Sequence, residues 1–392
     1  MNEVRIGIVG IGNMGSVHAK NIVDGKIQGL KLTAVCDIDA HKRTWAKENL
    51  GEEIALFTDY KEMIKSGYID AVLIATPHYI HPNIAIYGFS KGLHVLTEKP
   101  AGVYTKQVEA MNAAAKEAGT VFGVVYNQRT NPLYKALKKL IDEGKLGELK
   151  RCVWIITNWY RTQAYYDSGS WRATWAGEGG GVLINQCPHN LDLWQWLFGM
   201  PSKVTGFTAI GKYHHIEVED DVTAYAEYDN GATAVFITTT GECPGTNRLE
   251  ISGDRGKAVI EEGVLKFYEL EQGEREYCFT SQEGFGSPKM NVHNVEGEGI
   301  ETGHNGILQN FTNAILYGEK LIAPGKEAIR GLTISNAIHL SSWLGQSVEL
   351  PINADLYLEK LQEKIADSKV KPEVTSKISD LQGTYNSRWD VR

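Results

Sequence analysis

Ile6-Gly7-Ile8-Val9-Gly10-Ile11-Gly12-Asn13-Met14-Gly15, ten residues near the start of the chain, decide the fold. The apolar run Ile6 to Val9 reads as a strand, and a helical pattern from Met14 to Lys26 follows the glycines. A Gly-x-Gly-x-x-Gly turn in that setting permits a tight bend, close approach of a pyrophosphate to the backbone, and close packing of helix on strand. The free N–H groups and positive end of the helix then bind the phosphates. The next strand, Leu32 to Cys36, ends in Asp37, 22 residues beyond Gly15, where a carboxylate grips the ribose diol of an adenosine. A carboxylate there repels a 2′-phosphate, so NAD is expected over NADP, with Lys42 and Arg43 near enough to soften the preference. A helix N-cap is the plain alternative for Asp37. Gly10, Gly12, Asn13, Met14, Gly15 and Asp37 are thus the expected cofactor contacts of the first turn.

Outward from this turn the rhythm continues. A helix is expected over Ala40 to Asn49, and helical patterns at Pro82 to Lys91 and Lys106 to Ala118 separate the apolar runs Asp70 to Ala75, Leu93 to Leu96 and Val121 to Val125. Continuous apolar strands alternating with helices mean a parallel sheet covered on both faces. After about Asn127 a helix over Leu133 to Glu143 gives way to long alternating runs: Leu149 to Trp159, Val204 to Gly211, Val222 to Tyr228 and Ala232 to Thr240. Asp229-Asn230-Gly231 is a hairpin turn between the last two. Helices are expected at Pro188 to Phe198, Ile307 to Leu316 and Ala328 to Leu344. The expectation is an α/β chain: a Rossmann fold over residues 1–125, an α+β domain with a large, mostly antiparallel sheet over 126–351, and a tail over 352–392.

The composition of the 392 residues, 42% apolar and 22% charged, excludes a disordered chain. The formal charge of −8 argues against nucleic acid as main partner, because a phosphate backbone needs a basic face. No apolar run approaches the ~18–20 residues of a membrane helix. Five scattered cysteines form no C-x-x-C pair, so neither a disulfide framework nor a zinc site is expected, and no metal is assigned. Met1 to Arg5 lead directly into the first strand, so no secretory signal is read and a cytoplasmic location is the default.

Further motifs carry a resemblance. Ala75-Thr76-Pro77 ends the fourth strand with His81 shortly after, Glu98-Lys99-Pro100 ends the fifth, and Gly179-Gly180-Gly181 leads to His189. Together they resemble the glucose-fructose oxidoreductase / inositol dehydrogenase (Gfo/Idh/MocA) family over about residues 4 to 351. The resemblance implies an open second sheet that mediates homodimer or homotetramer formation, and hydride transfer between NAD and a sugar, glycoside or cyclitol hydroxyl. It implies that Lys99 lies beside the nicotinamide and the reacting hydroxyl. It further implies that Thr76, Pro77, His81, Glu98, Asn127, Trp171 and Arg172 line the cofactor. Independently, ligands of open α/β sheets bind outside the carboxyl ends of the strands, where Lys99 falls. An ammonium there stabilises a developing alkoxide; the plain alternative is a solvated loop lysine.

His189 opens a helix after Cys187-Pro188. The positive helix end disfavours its charged form, which leaves a general base; a packed or capping histidine is the alternative. Many family members carry Asp four residues before this histidine, and this chain has Asn185, which orients an imidazole but cannot stabilise imidazolium as a carboxylate does. Either Lys99 carries more of the acid–base work or the chain belongs to a variant subgroup. Asp192, one turn on, is a possible charge that is expected to face elsewhere.

Between Trp154 and Trp175 lie four of the nine tryptophans, interleaved with tyrosines and polar residues. Aromatic faces pack on the C–H faces of a sugar ring. Asn158, Tyr160, Arg161 and Tyr166, with His304, join Lys99, Asn185 and His189 as expected substrate contacts, whereas Trp154 is expected in the core. The His214-His215 pair on an extended segment points to opposite faces and is not a metal site. Two rival functions stand beside the dehydrogenase: a glycosidase that retains NAD and uses transient oxidation, and a non-catalytic dinucleotide-sensing regulator. Residues 261–303 hold ten glutamates against three lysines and arginines, a net −7, and read as a loop-bearing insertion. In the tail, Leu358, Leu361 and Ile365 read as a helical stripe that packs on its own subunit or a neighbour.

Overall fold

The computed structural model describes residues 2–369 and 371. The remainder of the expected tail lies outside the described residues. In the N-terminal part, strands β1 (Val4–Val9), β2 (Leu30–Cys36), β3 (Ala55–Phe57), β4 (Ala71–Ile74), β5 (His94–Thr97) and β6 (Phe122–Val124) alternate with helices. These are α1 (Asn13–Val23), α2 (Ala40–Leu50), α3 (Tyr60–Lys65), α4 (His81–Phe89) and α5 (Thr105–Ala118). All strand pairs are parallel, in the order β3-β2-β1-β4-β5-β6. That order reverses direction beside β1 and places a crevice between the carboxyl ends of β1 and β4. β4 is buried at every residue, as a strand covered on both faces must be. Neither β3 nor α3 is expected from the sequence; β3 is three residues at the sheet edge, too short for a periodic signal.

Helix α6 (Pro132–Asp142) leads into β7 (Leu149–Ile156), followed by α7 (Gln163–Tyr166) and α8 (Pro188–Phe198). Then come β8 (Lys203–Ile210), β9 (Glu219–Glu227), β10 (Thr233–Thr239), β11 (Asn247–Gly253), β12 (Gly256–Glu261), β13 (Val264–Leu270), α9 (Glu274–Thr280) and β14 (Met290–Val295). Helices α10 (Gly303–Tyr317) and α11 (Ala328–Leu344), strand β15 (Val348–Glu349) and helix α12 (Ala354–Ala366) complete the described fold. The nine strands form one sheet, β14-β13-β12-β11-β7-β10-β9-β8-β15, in which β7 and β10 run parallel and the other pairs antiparallel. Alternate residues of β9 and β10, including Val222, Ala224, Ala226, Ala234 and Phe236, point into a core under α8 and α11.

Two expectations are refined. The acidic stretch 261–303 contributes β13, α9 and β14, with β13 and β14 pairing over six residues to extend the sheet to its edge, and it carries loops at 281–289 and 296–302. Nearly all of its glutamates lie outside β13 and β14, in the turn before β13, in α9 and in the connecting loops. The stripe of α12 is Tyr357 and Leu361, both fully buried, with Leu356 and Ile365 beside them; Leu358 lies off it. It packs on α11 and α5 of its own chain. Helix α10 returns to the first core, where Ile307, Leu308 and Phe311 join the residues of the parallel sheet. This return brings His304 to the crevice.

Candidate functional site

The glycine turn has the shape a pyrophosphate requires. Gly10 has φ +93°, and a Cβ there would lie 2.6 Å from the Ala75 carbonyl oxygen; at Gly15 it would lie 1.8 Å from the Gly10 oxygen. Gly12 is the opposite case, with nothing within 4 Å of an added Cβ. It is the N-cap of α1 without a side-chain cap, so the first-turn N–H groups face open space beside a positive helix end. The Asp37 carboxylate is buried and ties β2 to this turn: Oδ2 accepts the Ile11 N–H at 2.8 Å and Oδ1 the Asp39 N–H at 2.9 Å. It is not the α2 cap, a role that Asp39 fills. Two N–H groups leave lone pairs free for a diol. Lys42 Nζ stands 3.7 Å from Oδ2. Thr76 Oγ1 and Asn127 Oδ1 are buried without a hydrogen-bond partner among the described residues, two polar atoms suited to a cofactor amide or hydroxyl. Asn13 is exposed and Met14 half-buried on the first turn; Pro77 is exposed after β4. These features fit NAD.

Beyond β5 the chain places Glu98 and Lys99 at the carboxyl edge of the sheet. Glu98 is buried, with Oε1 2.6 Å from Nε2 of His18 on the inner face of α1. Burial alone would raise its pKa; the His18 hydrogen bond and charge, with His304 and Lys99, bring it down to about 2. The His304 ring stands edge-on to His18 at 5.7 Å. Burial draws His304 down to about 4 against the pull of Glu98. Lys99 donates from Nζ to the main-chain oxygen of Asn185 at 2.9 Å. Burial lowers its pKa, Glu98 and Glu178 oppose that, and Arg172 and Arg161 reinforce it. His189, in the first turn of α8, is buried with its ring 6.0 Å from Tyr126. Burial, then Lys99 and His304, hold it well below the usual histidine range, so it is a neutral imidazole at physiological pH.

The segment between α7 and α8 supplies residues the sequence reading missed. Glu178, immediately before the glycine triplet, is 1% exposed. Its Oε1 accepts from Asn185 Nδ2 and its Oε2 accepts the Ala173 N–H at 2.5 Å. Arg172 Nη1 lies 4.0 Å from Oε1. Tyr165 Oη receives Arg172 Nη1 at 2.9 Å, Asn185 Nδ2 at 3.2 Å and Gln186 Nε2 at 3.3 Å. Arg172 also lies over the rings of Tyr165 and Trp171. His78 reaches the Glu178 main-chain oxygen at 3.3 Å and meets Trp171 edge-on. The available signal for Glu178 was its position: it is the one acid between Asp167 and Asp192 and adjoins the glycine triplet.

Not every expected residue reaches the crevice. Tyr166 is 2% exposed and bonds Thr240 Oγ1 at 2.7 Å, so it belongs to the core and leaves the substrate set. The buried His81 ring is clamped between the carbonyls of Thr76 at 2.6 Å and Pro100 at 2.9 Å; it shapes the two strand ends and presents no edge to a cofactor. Tyr160 is exposed, Asn158 is half-buried after β7, and Arg161 lies over Trp159 and Tyr165. Trp154 is in the core, where its indole donates to Asn247. His214 is tied to Asp220 and the Arg161 carbonyl. Asp192 faces Arg129 in a buried bidentate pair at 2.8 and 2.7 Å. Among the described residues no group of three or more His, Cys, Asp or Glu is placed to hold a metal, and no helix is long and apolar enough to cross a membrane.

Comparison with known proteins bears on the whole arrangement. Residues 4–126 match the profile described as oxidoreductase family, NAD-binding Rossmann fold, and residues 134–259 match the GFO/IDH/MocA C-terminal domain. A scyllo-inositol 2-dehydrogenase (NAD(+)) of Bacillus subtilis is 28% identical over 275 residues, 68% of this chain and 75% of that protein. A levoglucosan dehydrogenase of Pseudarthrobacter phenanthrenivorans is 26% identical over 294 residues, 66% of this chain and 74% of that protein. Among solved structures, the WlbA dehydrogenase of Bordetella pertussis, in complex with NADH and UDP-GlcNAcA, superposes with a TM-score of 0.74 at 27% identity, covering 90% of this chain and 100% of that one.

Proposed function

The chain belongs to the GFO/IDH/MocA oxidoreductase family, and from that premise we propose that it oxidises a secondary hydroxyl of a sugar, glycoside or cyclitol, with Lys99 and His189 as its catalytic residues. It is an NAD-dependent oxidoreductase; bound NAD supplies the hydride acceptor. The observation that carries the reading is the pairing of one ammonium with neutral imidazoles at the carboxyl edge of the parallel sheet. Lys99, held by the Asn185 carbonyl, stabilises negative charge on the substrate oxygen. His189, kept neutral by burial and by Lys99, takes the hydroxyl proton. Gly10, Gly12, Gly15 and Asp37 hold the dinucleotide, Thr76, Asn127 and Glu98 border it, and Trp171 and Arg172 close its far side. Relatives named for inositol and levoglucosan support the polyol class. Arg161, Asn185 and His304 are the proposed substrate contacts.

The outer face of the nine-stranded sheet is the proposed contact between copies of the chain, with Phe207 and Tyr225 exposed on β8 and β9. The mass in solution tests this: a monomer ends the proposal. The five free thiols suit a reducing compartment, and a cytoplasmic location belongs to the same proposal.

The deciding assay mixes the protein with NAD and a panel of inositols, free sugars and glycosides, followed at the NADH absorbance. Reduction with one polyol class is expected. Release of aglycone with no net NADH would replace the dehydrogenase by the NAD-retaining glycosidase.

A further inference from the structure

The site holds a carboxylate that the motif around His189 does not contain. Asn185 cannot carry charge, yet its side-chain amide donates to Glu178 Oε1 while its main-chain carbonyl receives Lys99 Nζ. Asn185 thus joins an anion to the cation of the site. Both Glu178 oxygens receive an N–H, from Asn185 and from Ala173, a set that fits the anion and offers no acceptor to a carboxyl proton. Ala173 is one of two non-glycine residues with positive φ among those described, at +53°, and it is buried. A left-handed conformation is strained for a non-glycine residue, and the one held here places its N–H on Glu178.

We propose that Glu178 is the positioning carboxylate of this site, acting through Asn185 to keep the Lys99 ammonium charged and aimed. The assignment rests on the dehydrogenase reading only for its consequence in turnover. The charged or titratable groups that face Glu178 are Arg172 from its own segment, Lys99 after β5, Glu219 on β9, Tyr166 on α7 and Lys371 beyond α12, with His78 on its main-chain oxygen. Two of the cations have other supports: Arg172 bonds Tyr165, and Lys371 donates to the Tyr166 carbonyl at 2.6 Å. Lys99 has Glu98 as its other acid, and Glu98 is committed to His18. Glu98 is the stronger acidic influence on Lys99 and Glu178 the second, and Glu178 alone is linked to the ammonium through Asn185.

The test uses the whole chain and reads Lys99 directly, as the pH dependence of its acetylation by acetic anhydride, followed by mass spectrometry. In Glu178→Gln, Lys99 is expected to lose its proton at a lower pH than in the parent, because a negative charge that favours its ammonium is removed. In Asn185→Asp, which adds a carboxylate, the loss is expected later. The double variant Glu178→Gln/Asn185→Asp, with the charge moved by one side chain, is expected to restore the parent value. Where the protein also reduces NAD, the alkaline limb of its pH–rate profile moves with Lys99 in each variant. Asn185→Asp needs no alteration of Glu178 and keeps the assignment testable should Glu178→Gln fail to fold. Unchanged Lys99 titration in Glu178→Gln or in Asn185→Asp overturns the proposal. A chain that shows the shifts but reduces no NAD with any polyol loses the proposed function and keeps the Glu178 assignment. An active dehydrogenase without the shifts does the reverse.

Discussion

Two buried glutamates act on Lys99, and their surroundings push them in opposite directions. On the cofactor side, Glu98 is matched by His18, and its pKa falls to about 2. On the substrate side, Glu178 meets an amide and a main-chain N–H, with Arg172 no nearer than 4.0 Å, and burial raises its pKa. The cofactor half is thus built from charges paid in full by neighbours, whereas the substrate half keeps a carboxylate at a cost to the fold. Such a cost persists where the charge serves a ligand or a reaction.

The largest test removes the group between the two halves. Lys99→Ala is expected to lower kcat by about 10²–10³-fold, the range for removal of one donor to a developing oxyanion. Binding of NAD, measured by fluorescence titration, should change little, because the proposed dinucleotide contacts, the glycine turn and Asp37, are left intact. Normal turnover by this variant would remove Lys99 from the chemistry and dissolve the comparison built around it.

Stability against pH separates the halves next. The folded pKa of Glu98 lies below its unfolded value of 4.5, so its contribution is present above that value and is lost as pH falls toward 2. At neutral pH it amounts to about 3 kcal/mol, at ~1.4 kcal/mol per unit. Glu98→Gln should lower stability by about that much in a denaturant melt at pH 7. The folded pKa of Glu178 is raised, so its stabilising side lies below the unfolded value and is lost as pH rises through the folded one. Glu178→Gln should therefore cost less stability at pH 7 than Glu98→Gln, the relief of a buried charge offsetting the acceptor that the amide loses. Equal losses in both variants would mean that the two carboxylates are supported alike.

The sequence made the cofactor half legible and the substrate half only partly so. A glycine turn, the Asp37 at the end of β2 and Glu98-Lys99-Pro100 after β5 are local signals, each a few residues long and placed by strand period. The partner of Glu98 is 80 residues away on α1, and no spacing rule reaches from Glu98 to His18. Much of the substrate half is assembled from residues 167 to 187, which have no helical or strand period, so position beside the glycine triplet was the one signal for Glu178. Standing among aromatics makes Tyr166 an expected substrate contact, yet adjacent Tyr165 and Tyr166 turn opposite ways, one toward Arg172 and the other toward Thr240. The arrival of His304 depends on α10 returning to the first core, a tertiary fact that sequence order conceals.

Gly12→Ala sharpens the comparison from the cofactor side at a smaller scale. Its φ of −80° suits alanine, and no atom lies within 4 Å of the new methyl group, so the melting temperature should hold or rise slightly. The methyl group occupies the space that backbone approach to a pyrophosphate needs. The Kd for NAD should rise by about tenfold, or ~1.4 kcal/mol. Unchanged affinity would place the phosphates elsewhere.

The smallest effect concerns Tyr166, where the substrate half ends and the core begins. Its hydroxyl is shared with Thr240 inside the sheet packing, 2.7 Å away, and its ring stands edge-on to His214. Tyr166→Phe keeps the ring and its buried area, so the loss is one hydrogen bond, about 1 kcal/mol, with Thr240 left to bond elsewhere. KM for any polyol should stay within about twofold, because under ~0.5 kcal/mol of binding energy is at stake in the crevice. The same change at Tyr165 removes the atom on which Arg172, Asn185 and Gln186 converge, and there KM and kcat should both move. If instead KM rises in Tyr166→Phe and not in Tyr165→Phe, the inward face of this pair is the other one, and Glu178 and Arg172 lose their link to the substrate.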